Sequence, residues 1–281
     1  MLILSLFPGI DLLGRGFEAE GCCVVRGPDR LWGGDIRSFH VPPGRFNGVI
    51  GGSPCQDFSV ARRGIPPTGE GLELLAEFAR VVAEAQPEWW LLENVPTVPD
   101  VAIEGYQVHR RALRDNECGG HQARLRHFQF GSKKGWVLRI ETARPSKPAQ
   151  PAAMATEGRR QARRSFADFC ELQGLPRDFD LPGYSREGKY RAVGNGVPLP
   201  MARTIACAIC ETAVAPDVRT FTDVRLCACG CGQVVTGKQL SAGPACRKRL
   251  QKARQNPRQT VSRRRIDMPG DSQFAVNVPA S

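Results

Sequence analysis

The 281-residue sequence predicts an α/β fold, a doubly wound and mostly parallel sheet with a small basic appendage at its C-terminal end. Short apolar runs alternate with helix-like stretches through the first half. Several of those runs end in Gly- or Pro-containing loops, as strands of an open α/β sheet do where ligands meet the chain. The charge is lopsided: the net value is +11, and from Arg225 to Arg265 there are eleven Lys and Arg and no Asp or Glu. The rest of the chain therefore sums to about zero, and the basic character belongs to the appendage. With 41% hydrophobic residues the length suffices for one large domain or for a domain plus an appendage. No run reaches the ~18 apolar residues of a membrane span. The N-terminus has no secretory pattern, so a cytoplasmic chain with its 11 cysteines reduced is expected.

The elements follow in order. Leu2 to Phe7 is a first strand, broken by Pro8-Gly9-Ile10-Asp11. Leu12, Leu13, Gly16 and Phe17 recur at helical spacing behind it. Strand, glycine turn and helix is the opening of a nucleotide-binding unit, whose backbone and helix amides receive the ligand. Cys22 to Val25 is a second strand. Trp32-Gly33-Gly34-Asp35-Ile36 ends in a carboxylate able to accept from an adenine amino group. Glu70 to Gln86 is an amphipathic helix with Leu72, Leu75, Ala76, Ala79, Val82 and Ala83 near one face, and Pro87 ends it. Glu88 to Pro96 is a buried strand running into Glu93 and Asn94. Gly105 to Cys118 is expected as a further helix. From Gly120 to Phe128 the alternation puts Arg124, Arg126 and Phe128 on one strand face, with Trp136 to Ile140 as the returning hairpin strand. Two arginines so placed can orient a carboxylate by bidentate pairing. Residues 142–164, rich in Pro, Ala, Lys and Arg, are expected as a linker or flexible loop. Ser165 caps a short helix, Tyr190 to Pro198 is a glycine-rich turn, and Pro200 to Ala213 is a helix.

The loop after the apolar run Gly48-Val49-Ile50 is Gly51-Gly52-Ser53-Pro54-Cys55-Gln56-Asp57-Phe58-Ser59. A thiol in such a backbone-rich loop can be activated by nearby amides or cations. The alternative role for Cys55 is a small buried hydrophobe in a tight turn.

Taken together, Phe7-Pro8-Gly9, Gly34-Asp35-Ile36, Pro54-Cys55-Gln56, Glu93-Asn94-Val95, Gln122-x-Arg124-x-Arg126 and Gly194-Asn195-Gly196-Val197-Pro198 resemble, in order and kind, the motifs of the DNA cytosine carbon-5 methyltransferases. The resemblance covers roughly residues 1 to 213, and it implies a Rossmann-like fold that uses S-adenosylmethionine. It makes Cys55 the nucleophile that adds to carbon-6 of a flipped cytosine. It puts Glu93 on the ring nitrogen and exocyclic amine, and has Arg124 and Arg126 steer the carboxylate and the base carbonyl. It implies that Phe7, Gly9, Asp35, Pro54, Asn195 and Gly196 hold the methyl donor. The family's acidic residue after the second strand has Asp29 as its nearest candidate. Gln56, Ser59 and Gln122 are the implied nucleic-acid contacts. The chain departs from the family pattern at Asp11 and Leu12, where a second glycine pair is usual.

The same resemblance implies a recognition domain of on the order of a hundred residues, and here only 142–164 stands in its place. That stretch offers Lys147, Arg159, Arg160, Arg163 and Arg164 and little else. A short site, relaxed specificity, or recognition supplied by the tail or by a partner protein is therefore expected. The expected division is 1–141 catalytic core, 142–164 linker or vestigial recognition loop, and 165–213 the end of the catalytic domain. Residues 214–281 form a basic Cys-rich tail, disordered from about 255. In it Cys227, Cys229, Cys231 and Cys246 suit one structural zinc ion. Arg247, Lys248 and Arg249 follow as phosphate contacts for double-stranded DNA. Two other readings fit these residues: RNA cytosine methylation by the same chemistry, and a catalytically decayed nucleic-acid-binding protein. Restriction partner, self-protection and regulation are all open as roles.

Overall fold

The structure, a computed structural model, describes residues 1–54, 56–58, 68–143, 145, 148–159, 164–214, 225–229, 233–235 and 239–255. Cys55, Ser59, Lys147, Arg160, Arg163 and Cys231 lie outside the described residues, as does the disorder expected from about 255. The elements run β1 (Leu2–Leu6), α1 (Leu12–Ala19), β2 (Cys23–Arg26), β3 (Gly48–Gly52), α2 (Glu70–Ala85), β4 (Trp89–Asn94), β5 (Gln107–Arg114), β6 (Leu125–Ser132), α3 (Phe166–Leu172), α4 (Arg186–Asn195) and α5 (Leu199–Val214). The tail adds β7 (Arg225–Leu226), β8 (Val234–Val235) and α6 (Pro244–Gln255).

Strand alternation builds the doubly wound core. The main sheet has the order β2-β1-β3-β4-β6-β5. Its first four strands pair in parallel, and β6 pairs antiparallel with both β4 and β5. Ile3, Trp89, Leu91, Phe128 and Phe130 face one side and pack with Phe17 of α1 and with Met201, Ile205 and Ile209 of α5. Leu4, Leu6, Val49, Trp90 and Leu92 face the other, against Leu74, Leu75, Phe78 and Val82 of α2. Each such fully buried Leu or Phe is worth roughly 1.5–3 kcal/mol. The two tryptophans need glycine opposite them. A Cβ on Gly48 would meet the Trp89 ring at 2.2 Å, and one on Gly131 the Trp90 ring at 2.2 Å.

Four expectations are corrected. Gly105 to Cys118 is not a helix: Gln107–Arg114 pairs residue by residue with β6, so sheet pairing overrides helix-forming Arg, Ala and Leu. Trp136 to Ile140 forms no strand, because β6 already has β5 and β4 as its partners. The buried face of α2 is Leu74, Leu75, Phe78, Ala79, Val81, Val82 and Ala85, while Leu72 is 48% exposed. The glycine-rich turn begins only at Gly196, since Arg186–Asn195 is a helix capped by Ser185.

A third core joins Leu12, Ala153, Phe169, Leu172, Tyr190 and Val193. Residues 142–164 are thus tied in where they are described. Gln150 bridges to Gln122, Ala153 is fully buried, and Arg164 pairs with Glu157 at 2.8 Å.

Candidate active site

The carboxyl ends of β1, β3 and β4 open on a cleft of about 460 Å³. β1 leaves the sheet through left-handed backbone at Phe7, Gly9 and Asp11, with φ near +55° at each. Asp11 is buried and caps α1: its Oδ1 accepts from the Gly14 amide at 3.0 Å and from the Ser5 hydroxyl at 2.9 Å. Burial pushes its carboxyl above the usual range, against those two hydrogen bonds and the Arg26 guanidinium at 3.0 Å. Asp29 follows β2 and accepts from the Gly9 amide at 2.9 Å and the Leu31 amide at 2.7 Å. The Trp32 indole donates to the Gly9 carbonyl at 3.0 Å. Gly9 is thereby held at both its backbone polar groups.

The loop after β3 is anchored at Ser53. Buried Asn94, at the end of β4, donates to the Ser53 carbonyl at 3.1 Å and hydroxyl at 2.9 Å, and accepts from the Val95 amide at 2.8 Å. Gln56 opens a short helical turn, Gln56–Phe58. The Asp57 carboxylate of that turn accepts from the Gly71 amide of α2 at 2.9 Å.

Glu93 stands next to Asn94 but points to the opposite face of the sheet. It lies opposite Phe128 in the β4–β6 register, which makes Arg126 its diagonal neighbour. Arg126 Nε sits 2.6 Å from Glu93 Oε1. A Cβ on Gly52 would come within 3.1 Å of Glu93 Oε2, so this glycine leaves space for the carboxylate. Desolvation raises the Glu93 carboxyl above its ordinary range, and the Arg126 and Arg124 charges oppose that only in part.

In the tail, the Sγ atoms of Cys227, Cys229 and Cys246 all lie within 4.8 Å of one another. Cys227 follows β7, and its amide donates to the Gln233 carbonyl at 2.7 Å. Its sulfur is 3.4 Å from that of Cys229 and accepts from the Ala242 amide at 3.3 Å. Burial pushes its thiol up, but the Cys229 and Ala242 amides and the neighbouring thiols bring it down to about 7. Arg247, Lys248 and Arg249 are exposed on α6.

The family described as C-5 cytosine-specific DNA methylase matches residues 31–171, half of the chain. The chain belongs to this family. The chain is 35% identical over 99 residues to the Type II methyltransferase M.HgiDI of Herpetosiphon aurantiacus, covering 32% of each chain. It is 32% identical over 168 residues to the Type II methyltransferase M.FnuDI of Fusobacterium nucleatum, covering 48% of this chain and 47% of that one. The match thus spans less than half the length of either relative. The fold is that of the Entamoeba histolytica methyltransferase EhMeth, with a TM-score of 0.56 at 9% identity over 75% of this chain and 97% of that one.

Phe7, Gly9, Asp29, Pro54, Glu93, Arg126, Asn195 and Gly196 all line the cleft. Asp35, Arg124 and Gln122 lie outside that lining. Asp35 is outside the lining, and its carboxylate accepts from the Arg37 amide at 3.0 Å as the cap of a short helical turn. Arg124 is 4% exposed and donates to the carbonyls of Ala153 and Gly194 at 2.7 Å and of Gly196 at 3.2 Å. It clamps the turn that carries Asn195 and Gly196. Gln122 is fully buried; its amide group bonds Leu172, Gln173 and the Ala153 amide, so it does not face nucleic acid. Sequence reasoning gave no role to the Asn94–Ser53 tie or the Asp11 cap. Among the described residues no helix is long and apolar enough to cross a membrane.

Proposed function

We propose that the chain methylates carbon-5 of cytosine in double-stranded DNA, with S-adenosylmethionine as donor. The observation that carries this is the pairing of buried Glu93 with Arg126 in the lining of a cleft that also holds Ser53 and Pro54, the residues leading into Cys55. The cleft fits the donor. Phe7, Ile10 and Leu74 give it apolar wall, and Gly9 and Gly196 let the backbone come close. On Gly196 a Cβ would strike Leu12 at 2.7 Å. Phe7, Gly9, Asp29, Pro54, Asn195 and Gly196 would hold the donor, which supplies an electrophilic methyl group for carbon-5.

The chain's own residues do the rest. The Cys55 thiolate adds to carbon-6 of the flipped base, and the ring electron pair becomes available at carbon-5. Glu93 in its protonated form donates to the ring nitrogen as charge gathers there, and Arg126 holds Glu93 in place. Removal of the carbon-5 proton returns its electron pair to the ring and expels the Cys55 thiolate.

The tail fits an accessory role. Cys227, Cys229 and Cys246, with Cys231 as fourth ligand, would hold one structural zinc ion. Arg247, Lys248 and Arg249 would meet phosphate in a salt-dependent, sequence-independent way. A cytoplasmic location with the DNA goes with this reading, and a partner protein that sharpens recognition is compatible with it. The experiment is conversion-based mapping of methylated cytosines in DNA from cells expressing the chain. Carbon-5 methylation at a recurring sequence is expected. DNA binding without any new methylcytosine would leave the decayed-enzyme reading instead.

A further inference from the structure

Away from the cleft, Arg164, Ser165, Phe166, Tyr184, Arg186, Lys189 and Tyr190 enclose an open-sided hollow of about 570 Å³. Its lining holds three cations, three aromatic rings and no carboxylate. Tyr190 is its buried floor, with its hydroxyl donating to the Arg164 carbonyl at 2.8 Å. The Arg186 guanidinium lies 5.9 Å over the Tyr190 ring, and the Lys189 ammonium 6.0 Å over that of Phe166. Arg164 and Lys189 are held by Glu157 and Asp180. Arg186 is exposed, and no described carboxylate pairs with it. Phe166 and Tyr184 are half-buried, each presenting part of its ring.

We propose that this hollow binds a nucleotide of the DNA strand that carries the target cytosine, with Arg186 on its phosphate and Tyr184 or Phe166 stacked on its base. The proposal rests on the methylation reading. Cations interleaved with accessible rings form the combination that single-stranded nucleic acid selects, because phosphate needs charge and every base offers a π-face. α4 ties the hollow to the chemistry. Its Arg186, Lys189 and Tyr190 line the hollow, while its Arg191, Ala192 and Asn195 line the cleft. Arg186 and Arg191 are about 7.5 Å apart along the helix axis. That is about two nucleotide steps of a strand at about 3.4 Å each. Flipping a base opens the stack near the target and frees neighbouring bases to be read. The hollow thus supplies a strand contact in the region where the recognition domain is so short.

The test is photocrosslinking of the full chain to a single-stranded oligodeoxynucleotide with iodouracil in place of thymine. Light breaks the carbon–iodine bond, a bond forms to a stacked ring, and hydrogen iodide leaves. Peptide mapping should find adducts on Tyr184 or Phe166. Arg186→Ala should lower that yield about fivefold or more, and Arg186→Lys should restore it. Tyr184→Leu should remove the adduct at that position. S-adenosylmethionine binding by each variant monitors folding. Adducts confined to residues 225–281, or equal yield in a folded Arg186→Ala chain, overturn the proposal. Crosslinking at Tyr184 in a chain that methylates no cytosine keeps the subsite and removes the activity. Methylation without adducts in 164–190 does the reverse.

Discussion

Arg124 separates two accounts of the site. The residue is 4% exposed, and its guanidinium donates to three backbone carbonyls, on Ala153, Gly194 and Gly196. Hydrogen bonds to a charged donor contribute about 1.5–3 kcal/mol each, and they do not add fully. Arg124→Met keeps the aliphatic stem but leaves those carbonyls without their donor, at a cost of about 3–5 kcal/mol. At about 2–4 °C per kcal/mol for a chain of this size, Tm should fall on the order of 10 °C. Gly196 packs on Leu12 and lines the cleft, so the KM for S-adenosylmethionine should rise. With saturating donor, kcat should stay within about tenfold, since Arg124 does not line the cleft. Differential scanning calorimetry and methyl-transfer kinetics read both numbers. An unchanged Tm with a kcat loss of a hundredfold or more would refute this, and would place Arg124 on the base as the resemblance implied.

Burial raises Glu93 above its unfolded value, so the folded state binds that proton more tightly. The resulting stability is full below about pH 4.5 and is lost as pH rises through the folded pKa. Wild type should therefore lose stability relative to Glu93→Gln as pH rises from about 4.5, measured by urea unfolding; a relative gain would mean that the Arg126 pair outweighs desolvation. Asn94→Ala releases Ser53, which should lower kcat at saturating donor by about tenfold or more, read by methyl-transfer kinetics. Weaker donor binding alone would show that Asn94 serves the cofactor side. Elemental analysis of the purified chain should find about one zinc per chain. A chelator should then melt the tail and weaken DNA binding while the transition of the catalytic core stays put; a metal-free native chain contradicts the zinc site.

The apolar runs made β1, β3 and β4 legible, because buried parallel strands are continuous hydrophobic stretches. Gln107–Arg114 was not legible. Its fully buried residues, His109 and Leu113, sit four apart, a spacing that helices and strands share, and only pairing with β6 decides between them. α4 hid behind Gly188 and Gly194, poor helix formers. Gly194 is in the helix because another part of the fold leaves no room for a side chain: a Cβ there would strike Ala155 at 2.7 Å. The place of Asp29 after β2 could be read from the sequence; the capping bond that Asp35 makes could not, because a capping carboxylate and a ligand carboxylate look alike in sequence. The depth of Gln122 and Arg124 depends on residues 150–153 and 194–196 folding back over them, which no local pattern encodes.

The proposed reaction turns on covalent catalysis at Cys55, and DNA with 5-fluorocytosine at the target position tests it directly. Fluorine replaces the carbon-5 hydrogen, so no base can remove it as a proton, and the bond from Cys55 to carbon-6 cannot be released. With S-adenosylmethionine present, mass spectrometry should find a stable adduct on the Cys55 peptide that Cys55→Ser abolishes. No adduct, or an adduct on another of the 11 cysteines, contradicts the account.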